Sequence, residues 1–160
     1  MSGAPFVLRR ATSEDAAGIA SLIVTAFGEY RGWLLPEPGA LRETAASVAA
    51  DLARTGHGAF AAFDGLALVG CVLFKPEEGD LYFGRLSVAP SARRRGLAEE
   101  LVGAVESEAR AQGYPGVRLG VRIPLEANQR LFTRLGYAEI SREAHVGFAE
   151  PTWITMRKVL

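Results

Sequence analysis

Three consecutive arginines, Arg93–Arg95, stand directly before Gly96 and Ala98 in the stretch "LSVAPSARRRGLAEELV". An apolar run typical of a strand precedes them, and a pattern typical of an amphipathic helix follows. A helix N-terminus offers unpaired N–H groups and the positive end of the helix dipole to an anion. Small residues let a phosphate group come close to the backbone. The segment therefore predicts a pyrophosphate site made of backbone N–H groups and arginine side chains.

Two other interpretations of the arginine triplet stay open, a solvated surface cluster and a nucleic-acid contact. Eighteen basic and eighteen acidic side chains give the chain zero net charge, and no aromatic residues are interleaved with the triplet. Both observations disfavour nucleic-acid binding. The segment is not a P-loop, because no Gly-Lys-Ser/Thr follows, and it lacks the three spaced glycines of the dinucleotide fingerprint. A pyrophosphate site between a central strand and the next helix is the favoured interpretation.

The elements that would position this segment follow from hydrophobic periodicity and turn residues. Strands are predicted at 6–12, 58–64, 66–75, 80–88, 116–123, 137–148 and 152–160. Helices are predicted at 14–27, 41–52, 95–111 and 125–135. The order β-α-α-β-β-β-α-β-α-β-β predicts one α+β domain over residues 1–160, with a mixed, mostly antiparallel sheet of about seven strands and four helices.

The cysteine count and the apolar runs bear on metal sites and membranes. Cys71 is the only cysteine and lies in an apolar run, so we expect a buried small residue and neither an intrachain disulfide nor a cysteine-rich zinc site. The N-terminal segment lacks the apolar stretch of a signal peptide. No run has the length needed to span a bilayer. The sequence predicts a soluble cytoplasmic protein without a metal or a membrane partner.

The stretch "RLSVAPSARRRGLAEELV" resembles the acyl-CoA-binding motif of the GNAT superfamily of N-acetyltransferases, Arg/Gln-x-x-Gly-x-Gly/Ala, with Arg93, Gly96 and Ala98 at the defining positions. "EANQRLFTRLGYAEI" (126–140) is similar to the family's later helix motif, with Asn128 at its asparagine. The resemblance covers nearly the whole chain, and the tail is similar to the ending of one group of bacterial members. It implies the GNAT fold and transfer of an acetyl group from acetyl-CoA to a primary amine of a small molecule or a protein.

The resemblance also implies which residues bind coenzyme A. The pantetheine arm would pair, as if it were an added strand, with backbone groups of Leu86, Ser87 and Val88. A gap between strand 80–88 and strand 116–122 would make room for the arm. The pyrophosphate would be held by Arg93, Arg94, Arg95, Gly96, Leu97 and Ala98. Asn128 and Phe132 would contact the cofactor from the opposite side.

Acetyl transfer needs a neutral amine and a polarised thioester carbonyl. The backbone N–H of Val88 could polarise the carbonyl, which requires no particular side chain. A histidine or a carboxylate can take the amine proton directly or through water. The candidates are His145 and Glu29, and each could instead be an ordinary strand or loop residue.

The leaving thiolate raises a separate question, because many family members protonate it with a tyrosine at the position of Phe132. Phe132 has no proton to give, and Tyr137 lies beyond the helix, where core packing is favoured. Tyr82, Tyr30 or water could replace the missing acid. A thiol with a pKa of about 8.5 is a fair leaving group without a strong acid. The phenylalanine keeps open an alternative function, a catalytically weak acyl-CoA sensor or interaction module.

The acceptor site is the least defined part of the sequence. Arg85 lies in the strand beside the proposed acyl arm, and Arg122 ends the next strand; strand alternation predicts that Arg85 shares a face with Phe83 and Ser87. An arginine there would suit a carboxylate-bearing acceptor, or it could be an exposed sheet residue. An apolar acceptor pocket could instead be lined by Tyr30, Trp33, Tyr82 and Trp153. The resemblance also implies a possible homodimer through the last strands.

Overall fold

The computed structural model describes residues 6–160, which form one seven-stranded sheet with helices on both faces. The strands are β1 (Val7–Arg10), β2 (Gly58–Asp64), β3 (Ala67–Glu77), β4 (Asp80–Val88), β5 (Gly116–Arg122), β6 (Ala138–Glu143) and β7 (Trp153–Val159). The helices are α1 (Ala16–Phe27), α2 (Ala45–Leu52), α3 (Leu97–Ala111) and α4 (Glu126–Arg134). The predicted α+β class and element order are confirmed.

The strands lie in the order β1-β2-β3-β4-β5-β7-β6. All neighbours are antiparallel except β4 and β5, which run parallel. Apolar residues of β3, β4 and β5 alternate onto the face that α3 and α4 cover, where Phe83, Leu101 and Leu119 lie in the main core. On the other face, α1 packs on β3 and β4, and α2 packs on β2. On this second face, α1 and α2 pack mainly on β2, β3 and β4. A cleft opens next to them, over β5, β7 and β6.

Local conformations explain where the element bounds differ from the prediction. The helix α2 begins at Ala45 and not at 41, because the Thr44 hydroxyl accepts a hydrogen bond from the backbone N–H of Ser47 at 3.0 Å. The predicted strand to 148 is wrong, since β6 ends at Glu143. Gly147 has a φ of +89°, outside the extended range of a regular strand, and His145 lies in the connection between β6 and β7.

The strands β4 and β5 pair over only three positions, Leu81 with Val117, Tyr82 with Arg118 and Phe83 with Leu119. Beyond Phe83 the two strands part. The expected gap between the strands is therefore present, and it leaves main-chain groups at the facing edges of both strands without a strand partner.

A β-bulge accompanies this parting. Cys71 pairs with Ser87 and Leu73 with Gly84, so the two β4 residues 85 and 86 stand opposite Val72 alone. Arg85 has a φ of +54°, in the left-handed region. A bulge of this kind bends the strand and resets its side-chain alternation. The prediction that Arg85 and Phe83 share a face is therefore wrong: Arg85 reaches Glu43 beside α2, whereas Phe83 lies in the core with α3 and α4.

Cys71 does not line the cleft and is a buried small residue, as the sequence predicts. Cys71 is fully buried, and burial raises the pKa of its thiol to about 12, so the thiol is uncharged at neutral pH.

Within residues 6–160, no helix combines the length and the apolar character needed to cross a membrane.

Candidate active site

A cleft of about 1230 Å³ lies where β4 and β5 part. It extends from the loop after α1, across the separated strands, to the connection between β6 and β7. The predicted site residues that line it are Glu29, Tyr30, Tyr82, Arg85, Leu86, Ser87, Val88, Arg93, Ala98, Arg122, Asn128, Phe132, His145 and Trp153. The predicted site residues outside its lining are Trp33, Arg94, Arg95, Gly96 and Leu97.

The arginine segment forms a tight loop at the start of α3. Gly96 is the N-cap, with a φ of +76°, and Arg94 has a φ of +62°. This conformation is why α3 begins at Leu97 and not at 95. A Cβ on Gly96 would meet no atom within 4 Å, so the backbone conformation, and not lack of space, is what favours glycine. Left-handed residues in a turn gather successive N–H groups around one point, and the first-turn N–H groups of α3 have no partner within the helix. The loop has the features of an anion site.

The side chains of Arg93 and Arg95 have different partners. The Arg93 guanidinium donates from Nε to the Val88 carbonyl at 3.2 Å and from Nη1 to Glu29 Oε1 at 2.6 Å, and the bond to Glu29 raises the pKa of Arg93. The Arg95 guanidinium lies 4.3 Å from the centre of the Phe6 ring and 3.8 Å from an oxygen of Asp64. Of the triplet, Arg93 alone presents its side chain to the cleft.

Trp33 does not line the cleft, although it contacts a residue that does. Its side chain is half exposed, its indole N–H donates to the Glu29 carbonyl at 3.0 Å, and its ring packs edge-on against Tyr30. Trp33 therefore supports the loop that carries Glu29 and Tyr30 and does not form a wall of the cleft.

Phe132 lies between the cleft and the core and is 6% exposed. Its ring makes edge-to-face contacts with Phe83 and Tyr137, at centroid distances of 5.9 and 6.3 Å. The Tyr137 hydroxyl donates to Glu106 at 2.8 Å, and burial, together with that carboxylate, raises the pKa of Tyr137. The expectation that Tyr137 is a core residue is confirmed by its 2% exposure.

Tyr82 is the tyrosine at the point where the strands part. Its hydroxyl lies against Gly84 and Gly120, where an added Cβ would come within 3.5 Å of the oxygen. Burial raises the pKa of Tyr82, so the hydroxyl stays protonated at neutral pH. The protonated hydroxyl therefore lies between the two strand edges.

His145 lines the far wall of the cleft, where its ring packs on Trp153 at a centroid distance of 4.7 Å. The Thr152 hydroxyl oxygen contacts Nδ1, accepts the backbone N–H of His145 at 3.0 Å and lies 3.4 Å from the Glu143 carbonyl. When the threonine donates to that carbonyl, Nδ1 carries the imidazole proton and Nε2 keeps its lone pair. Burial, and next the Arg122 cation, lower the pKa of His145, which favours the neutral form.

The two predicted acceptor arginines have different surroundings. Arg85 donates from Nε to Glu43 Oε2 at 2.8 Å, and the Glu43 side chain is largely buried. Arg122 Nη1 is buried without a hydrogen-bond partner, and burial lowers the pKa of Arg122. Of these two arginines, Arg85 pairs with a carboxylate and Arg122 does not. Within residues 6–160, no cluster of three or more His, Cys, Asp or Glu side chains could hold a metal ion.

The sequence model of the acetyltransferase (GNAT) family matches residues 19–137, which is more than half of the chain. The chain belongs to the GNAT acetyltransferase family. A search of the curated proteins found no match. The expected family and enzyme class are confirmed.

Solved structures share the fold of this acetyltransferase. The PaiA N-acetyltransferase from Thermoplasma acidophilum, in complex with coenzyme A, has a TM-score of 0.84 at 13% identity, over 98% of this chain and 100% of that one. A GNAT family acetyltransferase from Elizabethkingia anophelis with acetyl-CoA bound has a TM-score of 0.72 at 14% identity, over 97% and 98%. A GNAT family acetyltransferase from Streptococcus pneumoniae has a TM-score of 0.73 at 16% identity, over 98% and 99%.

Sequence reasoning missed two residues that organise the site of this acetyltransferase. Thr152 orients His145, and Glu43 holds Arg85. Glu43 lies 42 residues before its partner, so no local spacing could have linked the two. Thr152 lies seven residues after His145, and the connection between β6 and β7 brings the two side chains together.

Proposed function

We propose that this acetyltransferase transfers the acetyl group of acetyl-CoA to the primary amine of a small molecule or a protein, by direct attack of the amine. The cleft between β4 and β5 is the observation that carries this proposal. One continuous space joins the free edge of β4, Arg93 of the loop before α3, and His145. Relatives with the same fold hold coenzyme A or acetyl-CoA.

The residues of the cleft fit coenzyme A. Main-chain groups of Leu86, Ser87 and Val88 follow the point where β4 leaves β5, and such groups can pair with the amides of an extended pantetheine arm. The loop before α3 offers N–H groups to the pyrophosphate, and Arg93 adds a positive charge. Asn128 lines the same cleft from α4 and would contact the arm from the other side.

Acetyl-CoA supplies a thioester whose carbonyl carbon the amine attacks. We assign the removal of the amine proton to Nε2 of His145, either directly or through a water. The Val88 N–H would donate to the carbonyl oxygen as negative charge develops there. As the C–N bond forms and the C–S bond breaks, the Tyr82 hydroxyl would protonate the thiolate and recover its proton from solvent. His145 then releases its proton to water.

Glu29 has a different part in this proposal. Its carboxylate accepts a hydrogen bond from Arg93, so Glu29 occupies the guanidinium that a pyrophosphate would need and is not our proposed base. Arg94, Arg95, Gly96 and Leu97 do not line the cleft, and we assign to them contact with the pyrophosphate through the backbone N–H groups of the loop.

Thiol release from acetyl-CoA, measured with a panel of amines and lysine peptides, tests the proposal. We expect turnover with some amines and a fall of about 10²- to 10⁴-fold in kcat/KM for His145→Gln. The matched control is His57→Gln, because His57 is the other histidine and does not line the cleft. Tight coenzyme A binding without turnover on any amine would favour the alternative, an acyl-CoA-binding sensor.

We further propose that two copies of the chain associate through β6. This strand lies at the edge of the sheet, and all six of its residues are exposed. Its outer edge has no strand neighbour among the described residues. Ile140 is half exposed there. Light scattering should give twice the mass of the chain for the wild type and a single-chain mass for Ile140→Lys; a single-chain mass for the wild type would disprove association.

A further inference from the structure

Arg122 ends β5 and presents a guanidinium to the cleft that the fold itself does not satisfy. Among the described side chains, its Nη1 is the only buried nitrogen or oxygen without a hydrogen-bond partner. A buried donor without an acceptor is unfavourable, and a charged one more so. Such an atom in a cleft wall is a place where a ligand can supply the missing acceptor.

Three other arginines that line the cleft pair with carboxylates, whereas Arg42, which also lines it, is exposed. Arg85 pairs with Glu43, Arg93 with Glu29, and Arg118 with Asp80. By contrast, burial alone perturbs Arg122, with no carboxylate among the causes. The glutamate nearest to Arg122 in the strand register is Glu143. It lies on β6, so β7 separates it from Arg122, and its carboxylate accepts a hydrogen bond from the Thr155 hydroxyl at 3.4 Å.

Arg122 also lies beside the groups that the proposed reaction uses. It pairs in register with Trp153, whose ring packs on His145, and its charge lowers the pKa of that histidine. A ligand group bound to Arg122 is therefore held at the end of the cleft where the amine proton would be removed.

We propose that Arg122 binds a carboxylate of the acceptor, so that the preferred acceptors are amines that also carry a carboxylate. This inference rests on the proposed N-acetyltransferase function and names its substrate class. A guanidinium binds a carboxylate through paired N–H···O bonds, which gain strength where water is excluded. Arg85, the other arginine that the sequence offers for this task, already holds the Glu43 carboxylate. The structure assigns the acceptor carboxylate to Arg122.

The kinetic experiment compares matched acceptor pairs: 3-aminopropanoate with propylamine, 4-aminobutanoate with butylamine and 6-aminohexanoate with hexylamine. At a fixed pH, we expect a preference of about tenfold or more in kcat/KM for the best carboxylate over its partner. Arg122→Gln should abolish the preference and Arg122→Lys should keep part of it. The control Arg42→Gln, a second arginine of the cleft, should leave the preference intact.

A binding experiment separates this inference from the proposed function. Hexanoate has no amine to acetylate, and it should raise the Tm of the wild type but not that of Arg122→Gln, with hexanol as the uncharged control. This result would support the carboxylate site even if no amine were acetylated. Acetylation of plain amines as fast as of amino acids, with no effect of Arg122→Gln on the ratio, would overturn the inference while the N-acetyltransferase function stood. Faster acetylation of aminoalkyl phosphonates than of the carboxylates would also overturn it.

Discussion

Glu29 and Arg93 form an ion pair at the mouth of the proposed coenzyme A site, with Nη1 and Oε1 2.6 Å apart and side chains 50% and 38% exposed. A pyrophosphate in the loop before α3 would need the same guanidinium. The carboxylate and the cofactor therefore compete for Arg93, and we predict that Glu29→Gln tightens coenzyme A binding.

The size of the effect follows from the exposure of the pair. Exposed ion pairs contribute about 0.2–1 kcal/mol, and 1.36 kcal/mol corresponds to a factor of ten, so Glu29→Gln should lower the Kd of coenzyme A by about 1.4- to 5-fold. Arg93→Gln acts in the opposite direction. A hydrogen bond to a charged group contributes about 1.5–3 kcal/mol, less what Arg93 already gains from Glu29, so binding should weaken by between about 2- and 100-fold.

Calorimetric titration of coenzyme A into the wild type, both single variants and the double variant measures these changes. Glu29→Gln should have no effect in the Arg93→Gln background, and its effect should shrink as salt is added. Glu37→Gln is the matched control, because Glu37 lines the same cleft but pairs with Arg31.

Two results would refute this reasoning. Unchanged or weaker coenzyme A binding in Glu29→Gln would show that Arg93 does not exchange the carboxylate for the pyrophosphate. A fall of about 10²-fold or more in kcat with Kd unchanged would make Glu29 the base, in place of His145.

Three further predictions concern stability and pH dependence. Asp80 is buried between Arg118 and Arg157, which lower its pKa, so Asp80→Asn should cost about 3 kcal/mol in urea unfolding, whereas exposed Glu150→Gln should cost nothing. Asp80 contributes fully to the free energy of unfolding above its ordinary pKa of 3.8, and this contribution is lost as the pH falls through the lower pKa of the folded state. An equal loss of stability in acid for the wild type and the variant would contradict this. Tyr137→Phe should lower Tm by about 2–4 °C per kcal/mol of the lost bond to Glu106 and leave kcat unchanged; a large loss of kcat would make Tyr137 the proton donor. Arg122→Gln should move the acid limb of kcat/KM to higher pH, since removing a nearby cation raises the pKa of His145, and an unmoved limb would show that another group titrates.

The sequence by itself determined the features that depend on neighbouring residues. Side-chain burial repeats every two residues in a strand and about every 3.6 in a helix, so periodicity indicated every strand and helix in order. The loop before α3 was also readable, because six adjacent residues contain its charge, its small residues and the glycine that takes a φ of +76°. The family resemblance rests on those residues and on the later helix motif at 126–140, and the match to residues 19–137 confirmed the family.

The tertiary structure alone decided the contacts between distant segments. Arg93 and Glu29 are 64 residues apart, and Arg85 and Glu43 are 42 apart, so each pairing depends on how α1 and α2 pack on the sheet. The bulge at residues 85 and 86 arises from the register of β3 against β4, and one extra residue is enough to move Arg85 to the other face. His145 lies in a connection because β6 ends early. Packing in three dimensions also buried Nη1 of Arg122 without an acceptor, whereas it gave Arg85 and Arg93 a carboxylate each.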